Sequence, residues 1–341
     1  MTLLLFDSAS QNGGQPHWDT YNPFDDNDTI ATLRCYQLER DKNNSLVKVL
    51  GSDEDDTVYV GFRLYTGYEQ DGGDYLVQFR GDGGSVNHVS IAMNGADGSI
   101  SAYRGNTGTT SLGTTGTPKY PNNGWFYVEV RMTCHDTAGI IEIKFDGTSV
   151  LNLTSQDTRN GGADALIDEI AWGASETQSG TYIRDIVIMN EAGGTFNTFL
   201  GPISIQTYRA DGAGNYTNWT PDTGSNYQRI DETDFDSDTS YVSSTSTGIR
   251  DSYTFTNVPS GLGAPIAVQG RYVGRYVTAP IDIGMFLRRS ATDDDAALAT
   301  PSASYSHLGN KIWETDPIAA SAWTSANFNA TEFGVRTSTA P

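Results

Sequence analysis

The chain is poor in cysteine, histidine, basic residues and long apolar runs, and each shortage removes a class of protein. Cys35 and Cys134 are the two cysteines in 341 residues, too few for a disulfide framework or a multi-cysteine metal site. Each continues an alternating apolar run, so buried free thiols are expected. The four histidines, His17, His88, His135 and His307, have no ligand-like spacing. Lys and Arg number 21 against 42 Asp and Glu, a formal net charge of −21, and both halves of the chain share the acid excess. Such a surface repels phosphate backbones, so nucleic acid is not an expected partner. No apolar stretch approaches the ~20 residues of a membrane-spanning helix, and no membrane insertion is expected. The opening "MTLLLFD" has no basic n-region and too short an apolar run for a secretory leader, so none is expected. Long Leu/Ala/Glu/Lys runs and heptads are missing as well, which argues against a helical bundle or coiled coil.

What the chain has in quantity is Gly (37), Tyr (18) and Phe (13), together with many Thr, Ser, Asn and Asp residues. That mixture suits short strands joined by polar turns. Alternation of period two recurs throughout. In "TVYVGFRLY" Val58, Val60, Phe62 and Leu64 share one face, with Tyr59, Arg63 and Tyr65 opposite. "GWFYVEVRM" sets Phe126, Val128, Val130 and Met132 inward, and Trp125, Tyr127, Glu129 and Arg131 outward. In "IIEIKFDGTSVLNL" two alternating runs flank Asp146-Gly147, the signature of a two-residue type I′ hairpin. Further strands are expected at 31–39, 75–80, 86–93, 99–104, 166–172 and 181–189.

With turn signals every 8–12 residues and no βαβ rhythm, the fold class is all-β. A two-sheet antiparallel sandwich over residues 1–200 is followed by a second, smaller β-sandwich domain. "NEAGGTFNTFLGP" breaks the rhythm, and 201–230 reads as a lead-in lying across a surface, its Tyr216, Trp219 and Tyr227 offering a contact for assembly. The C-terminal β domain, 231–341, has strands near 251–256, 264–277 and 281–289. One short helix near the C-terminus is expected at about 324–333, with Thr324 or Ser325 as its N-cap and Gly334 as its left-handed stop.

Signatures of chemistry are sparse. G-x-S-x-G, G-x-x-x-x-G-K-[ST] and H-E-x-x-H are all absent. Cys134-His135 adjoins a strand end, but Cys134 continues an inward face and is expected to be inert. The paired acids of a sandwich glycosidase, alternating on one strand, are not found. Glu129 and Glu142 stand singly near Arg131 and Lys144, as in surface ion pairs. These readings point away from an enzyme, assign no catalytic residue and call for no cofactor. In "DETDFDSDTSYVSS" (231–244), Asp234, Asp236 and Asp238 have the spacing that starts a calcium loop. Thr239 stands where an EF-hand needs Gly, and no Glu follows to close the loop. A solvated acidic turn entering a strand is the alternative. Tyr65 and Tyr68, in "LYTGYEQDGGDY", and Trp219 are the candidate sugar-stacking residues.

Several stretches share an order and spacing with a known group. They are the opening "LLLFD", the run "GWFYVEVRMTCHDTAGIIEIKFDGTSVLNLTSQDTRNGG", the junction "FLGPISIQTYRADGAGNYTNWTPDTGSNYQRIDETDFDSDTSYVSS", then "DSYTF", "WETDP" and "AWTSANFNATEFGV". In these the sequence resembles tailed-bacteriophage virion proteins that pair an N-terminal concanavalin A-like (laminin G-like) jelly roll with a C-terminal β domain. Pro202 departs from the family's usual acidic residue, so the strand after "FLGP" is expected to begin late or lie at an edge. The resemblance implies a structural component of the virion, assembled in the host cytoplasm and most often assigned to the tail or fibre. Capsid decoration, a head fibre or a glycan-binding module for host-surface polysaccharide are the alternatives. It implies other virion proteins as partners and a homo-oligomer or multi-copy protein, and it carries over no catalytic or ligand residues.

Overall fold

The computed structural model describes residues 3–9, 18–21, 25–30, 33–38, 46–66, 75–94, 98–116, 124–173, 181–232 and 235–338. The chain divides into two compact units, Met1–Gln206 and Thr207–Pro341.

The first unit is an antiparallel jelly-roll sandwich of two sheets. One sheet runs Thr148–Gln156, Gly139–Phe145, Trp125–Thr133, Thr57–Thr66, Thr181–Asn190, Leu33–Gln37 and Asp25–Ile30, with Leu3–Asp7 also pairing Thr181–Asn190. The other runs Thr110–Thr114, Ser99–Arg104, Val86–Asn94, Tyr75–Gly81, Glu169–Trp172, Leu46–Val49 and Thr20–Tyr21. Alternation explains the core directly. Val58, Val60, Phe62 and Leu64 are buried, as are Phe126, Val128, Val130 and Met132, and they meet Phe79, Ile100 and Trp172 of the facing sheet. Phe62 and Trp172 bridge the layers edge-to-face, with centroids 6.3 Å apart. Burying side chains of this size at about 25 cal/mol per Å² is the main favourable term here.

Two local motifs position the strands. At the expected hairpin, Asp146 and Gly147 both adopt positive φ (45° and 81°), and Asp146 Oδ1 accepts from the Tyr127 amide at 2.9 Å. In "LLLFD", Asp7 is buried and accepts from Trp18 Nε1 (2.9 Å), Tyr36 hydroxyl (2.7 Å) and the Ala9 amide (3.0 Å). The carboxylate ties the first strand to two aromatic donors distant in sequence.

The second unit is built on a five-stranded antiparallel sheet: Ala210–Thr217, Arg250–Phe255, Glu332–Thr337, Ile283–Arg289 and Thr292–Ala299. The ribbon of Val268–Gly274 and Ser306–Trp313 packs on one face, where Val268 and Trp313 join Met285, Leu287 and Phe333. The single α-helix among the described residues, Ser325–Asn329, is capped by Thr324, whose side chain accepts from Asn327 N.

Two readings of this region change, and one strand went unread. The helix ends at Ala330, and Gly334 lies inside the strand Glu332–Thr337. A Cβ at Gly334 would run into the Asp251 carbonyl and the Phe286 ring, so close strand packing selects this glycine. Residues 203–230, expected to lie across a surface, supply the strand Ala210–Thr217, paired with Arg250–Phe255. That strand begins eight residues after Pro202, and Tyr216 packs edge-to-face on Phe286 at 5.9 Å. Finally, acid-rich "TDDDAALA" is a strand, because each carboxylate finds a donor: Asp293 from Arg288, Asp294 from Trp313 Nε1 and Asp295 from Arg250.

Candidate functional site

Outward positions of the eight-stranded sheet form rows across its three central strands. Trp125, Tyr65 and Tyr182 make the first row by register. Tyr65 lies between the others, 5.5 Å from the Trp125 ring and 6.0 Å from Tyr182. All three are half-buried. The next row is Tyr127, Arg63 and Arg184, with the Arg63 guanidinium 5.9 Å from the Tyr127 ring. Aromatic faces backed by a cation present apolar area and hydrogen-bonding edges together, the chemistry that pyranose rings take. Trp125 Nε1 is buried without a hydrogen-bond partner. Tyr65 was legible in the sequence. Trp125 and Tyr182 become its neighbours only through strand register. Tyr68 lies outside the described residues.

Farther along the same face, the chain after the last strand lies across the sheet. The Gly201 amide donates to Glu129 Oε1 (2.9 Å), Arg63 donates to the Ile203 carbonyl (3.1 Å), and the Ile205 amide donates to Asp185 Oδ1 (3.2 Å). Phe199 packs edge-to-face on Tyr59 at 5.3 Å and under Lys144 Nζ at 3.9 Å. This strap buries polar groups that alternation assigned to solvent. Glu142 does pair with Lys144 (3.7 Å). Glu129, expected beside Arg131 at the surface, is instead buried under the strap. Arg131 turns to Glu191 (3.3 Å). Burial, with Glu142 adding, pushes the Glu129 carboxyl above its ordinary range, against Gly201, Leu200 and Lys144.

The outward face of the seven-stranded sheet carries a second polar network. Arg80 donates to Glu169 (2.8 Å), to Gln78 (Nε at 3.0 Å) and to the Tyr75 hydroxyl (3.2 Å), and Gln78 Nε2 donates to Ser90 Oγ (2.9 Å). The participants are buried or nearly so. No linear motif marks them, since the residues come from three strands.

Two sequence candidates resolve otherwise. Cys134 is buried, and burial pushes its thiol up to about 12. His135 Nδ1 accepts from the Thr137 and Ala138 amides (3.0 and 2.9 Å), so the imidazole caps a turn. Of the calcium-spaced acids, Asp234 lies outside the described residues. Asp236 accepts from Ser240 (2.8 Å), and Asp238 accepts from Arg275 (2.9 Å) and the Tyr305 hydroxyl (2.7 Å). Among the described residues no group of three or more His, Cys, Asp or Glu converges. Trp219, in the second unit, is half-buried, and its carbonyl accepts from Asn226 Nδ2 at 2.9 Å.

No family model matches this chain, and no curated protein matches it. Among solved structures it is similar to alginate lyase Aly36B, at 13% identity and TM-score 0.38, over 55% of this chain and 96% of that one. It is also similar to Trypanosoma rangeli sialidase in complex with the inhibitor DANA (15%, 0.28, covering 39% and 20%). A third is Caenorhabditis elegans galectin LEC-6 (10%, 0.27, covering 39% and 81%). At these identities the likeness concerns the β-sandwich fold alone. It nonetheless corrects the expectation that the chain is not an enzyme, because lyases and sialidases are among the structures similar to it. The physical reason is that a sandwich assembles its sites from neighbouring strands far apart in sequence. Absence of a linear acid pair therefore tests one hydrolytic arrangement and excludes no other chemistry.

Proposed function

We propose that this chain is a structural component of a tailed-phage particle, in the tail or the fibre and host-adsorption apparatus. The observation that supports this reading is the behaviour of the junction "FLGPISIQTYRADGAGNYT", one of the stretches that carry the resemblance. Its first half straps the outer face of the jelly roll, and its second half is the edge strand of the following sheet. The quoted motif is thus ordered architecture in each unit, as a building element of a particle would be. Its partners are then other virion proteins, with the chain present in several copies. Mass spectrometry of gradient-purified particles tests this: the chain should co-purify in fixed stoichiometry with the tail proteins. Its absence from intact particles overturns the reading, and stoichiometry with the capsid protein moves it to head decoration.

A second reading, recognition of host-surface polysaccharide by the jelly roll, is favoured by the half-buried row of Trp125, Tyr65 and Tyr182. Tyr65→Ala and Tyr182→Ala should each weaken binding to purified host polysaccharide about tenfold, as expected for ~1–2 kcal/mol per lost stacking contact. Unchanged binding in both variants sinks it.

A further inference from the structure

Edge strands expose unpaired backbone N–H and C=O groups, and charged side chains on them discourage pairing with another chain. Among the described residues, most long edges of the three large sheets here are guarded in this way. Asp25–Ile30 carries Asp25, Asp26 and Asp28; Ala210–Thr217 carries Asp211; Thr292–Ala299 carries Asp293, Asp294 and Asp295. One flank of the sandwich departs from the pattern. Its two edges, Thr110–Thr114 (TSLGT) and Thr148–Gln156 (TSVLNLTSQ), contain no charged residue. They close on each other, since a Cβ at Gly113 would lie 2.8 Å from Leu153 Cδ1. On the nine-residue edge, Thr148, Ser149, Asn152, Thr154 and Ser155 are exposed, and pairing is made to Gly139–Phe145 on one side only.

We propose that this flank is a homotypic interface, with Thr148–Gln156 of one copy pairing antiparallel to the same strand of a second copy. The eight-stranded sheet then continues across a two-fold axis. A second copy is the occupant that the charge distribution selects. A chain of net charge −21 repels its copies, and joining them at the acid-bearing edges brings further carboxylates to the seam. Here each cross-strand pair is Ser, Thr, Asn, Leu, Val or Gln, so the like-charge penalty is absent. In a register centred on Asn152, Asp146 faces Thr158 and Asp157 faces Gly147, which keeps the flanking acids apart as well. This inference stands on edge chemistry alone and does not depend on the virion reading.

Light scattering after size exclusion, on the full chain at about 50 μM and physiological salt, should give twice the 36.9 kDa chain mass. The double variant Asn152→Asp, Thr154→Asp gives this edge the acids that the others carry. It should halve the mass and leave the melting temperature unchanged at dilutions where both chains are monomeric. A monomeric wild-type chain overturns the proposal, and so does a dimer that the double variant leaves intact. Should the variant fail to fold, hydrogen exchange on the wild-type chain decides. Amides of 148–156 that gain protection at high concentration support the interface, and concentration-independent exchange there overturns it.

Discussion

Glu129 receives the Gly201 amide on Oε1 at 2.9 Å, while its Oε2, also buried, has no hydrogen-bond partner. One carboxylate therefore holds the strap to the sheet yet carries a charge that is only half compensated. Burial places its folded pKa above the ordinary, unfolded value. The stability it contributes is complete below the unfolded pKa of about 4.3 and is lost as pH rises through the folded value. Glu129→Gln keeps an acceptor for Gly201 and removes the charge. It should raise the melting temperature at pH 7 on the order of 2 °C, the shift expected for ~1 kcal/mol in a domain of this size. The gain should vanish near pH 4. A lower melting temperature for the variant at pH 7 contradicts this account.

Cys35 and Cys134 are both fully buried free cysteines. With the Cys134 thiol pushed up to about 12 by burial, almost no thiolate exists at neutral pH, and reagent cannot reach it. Thiol titration of the native chain at pH 8 should therefore find no fast-reacting group. The denatured chain should release two equivalents. Rapid labelling of native Cys134 would show that the strand end carrying it opens.

Much of the first unit was legible because two-residue alternation needs only neighbouring residues. Val58 to Leu64 and Phe126 to Met132 declared their faces, and Asp146-Gly147 declared the hairpin. Outward positions were less legible. Whether Glu129 meets solvent depends on Gly201, seventy-two residues away, and no local pattern encodes a strap. The same limit hid the aromatic row, since Tyr65 is visible as a candidate but Trp125 and Tyr182 reach it only through register. In the second unit the acidic run Asp293–Asp295 hid a strand. Its partners Arg250, Arg288 and Trp313 supply a compensation that composition does not show.

Gly334 extends that point into a test. Its place beside Asp251 and Phe286 leaves no room for a methyl group. Gly334→Ala must push the strands Arg250–Phe255 and Glu332–Thr337 apart. A loss of roughly 1–3 kcal/mol is expected from such overpacking, read as a lowered urea midpoint. A neutral or stabilising effect would contradict this close-packing account.

Asp316, in "WETDP", is fully buried and gathers the C-terminal segment around one carboxylate. Oδ1 accepts from the Ile318 and Ala319 amides, both at 3.1 Å, and from Arg289 at 3.0 Å. Oδ2 accepts from Asn327 Nδ2 at 2.8 Å, and Arg289 Nη1 approaches it at 2.7 Å. These contacts join the turn after the ribbon, the short helix and the strand Ile283–Arg289. Burial acts to raise the pKa, but Arg289, the Ala319 amide and Asn327 outweigh it and hold the carboxyl below its ordinary range. The folded value is thus depressed, so the stabilisation is present above the unfolded pKa and disappears as pH falls through the folded one. Asp316→Ala strands Arg289 without its counter-charge and should cost about 3–5 kcal/mol. Asp316→Asn keeps part of the hydrogen bonding without the charge and should fall between the wild-type chain and the alanine variant. Urea titrations at pH 7 and pH 3 check both claims. The wild-type advantage over Asp316→Asn should shrink at the lower pH, and an advantage that is unchanged, or larger in acid, refutes the charged clamp.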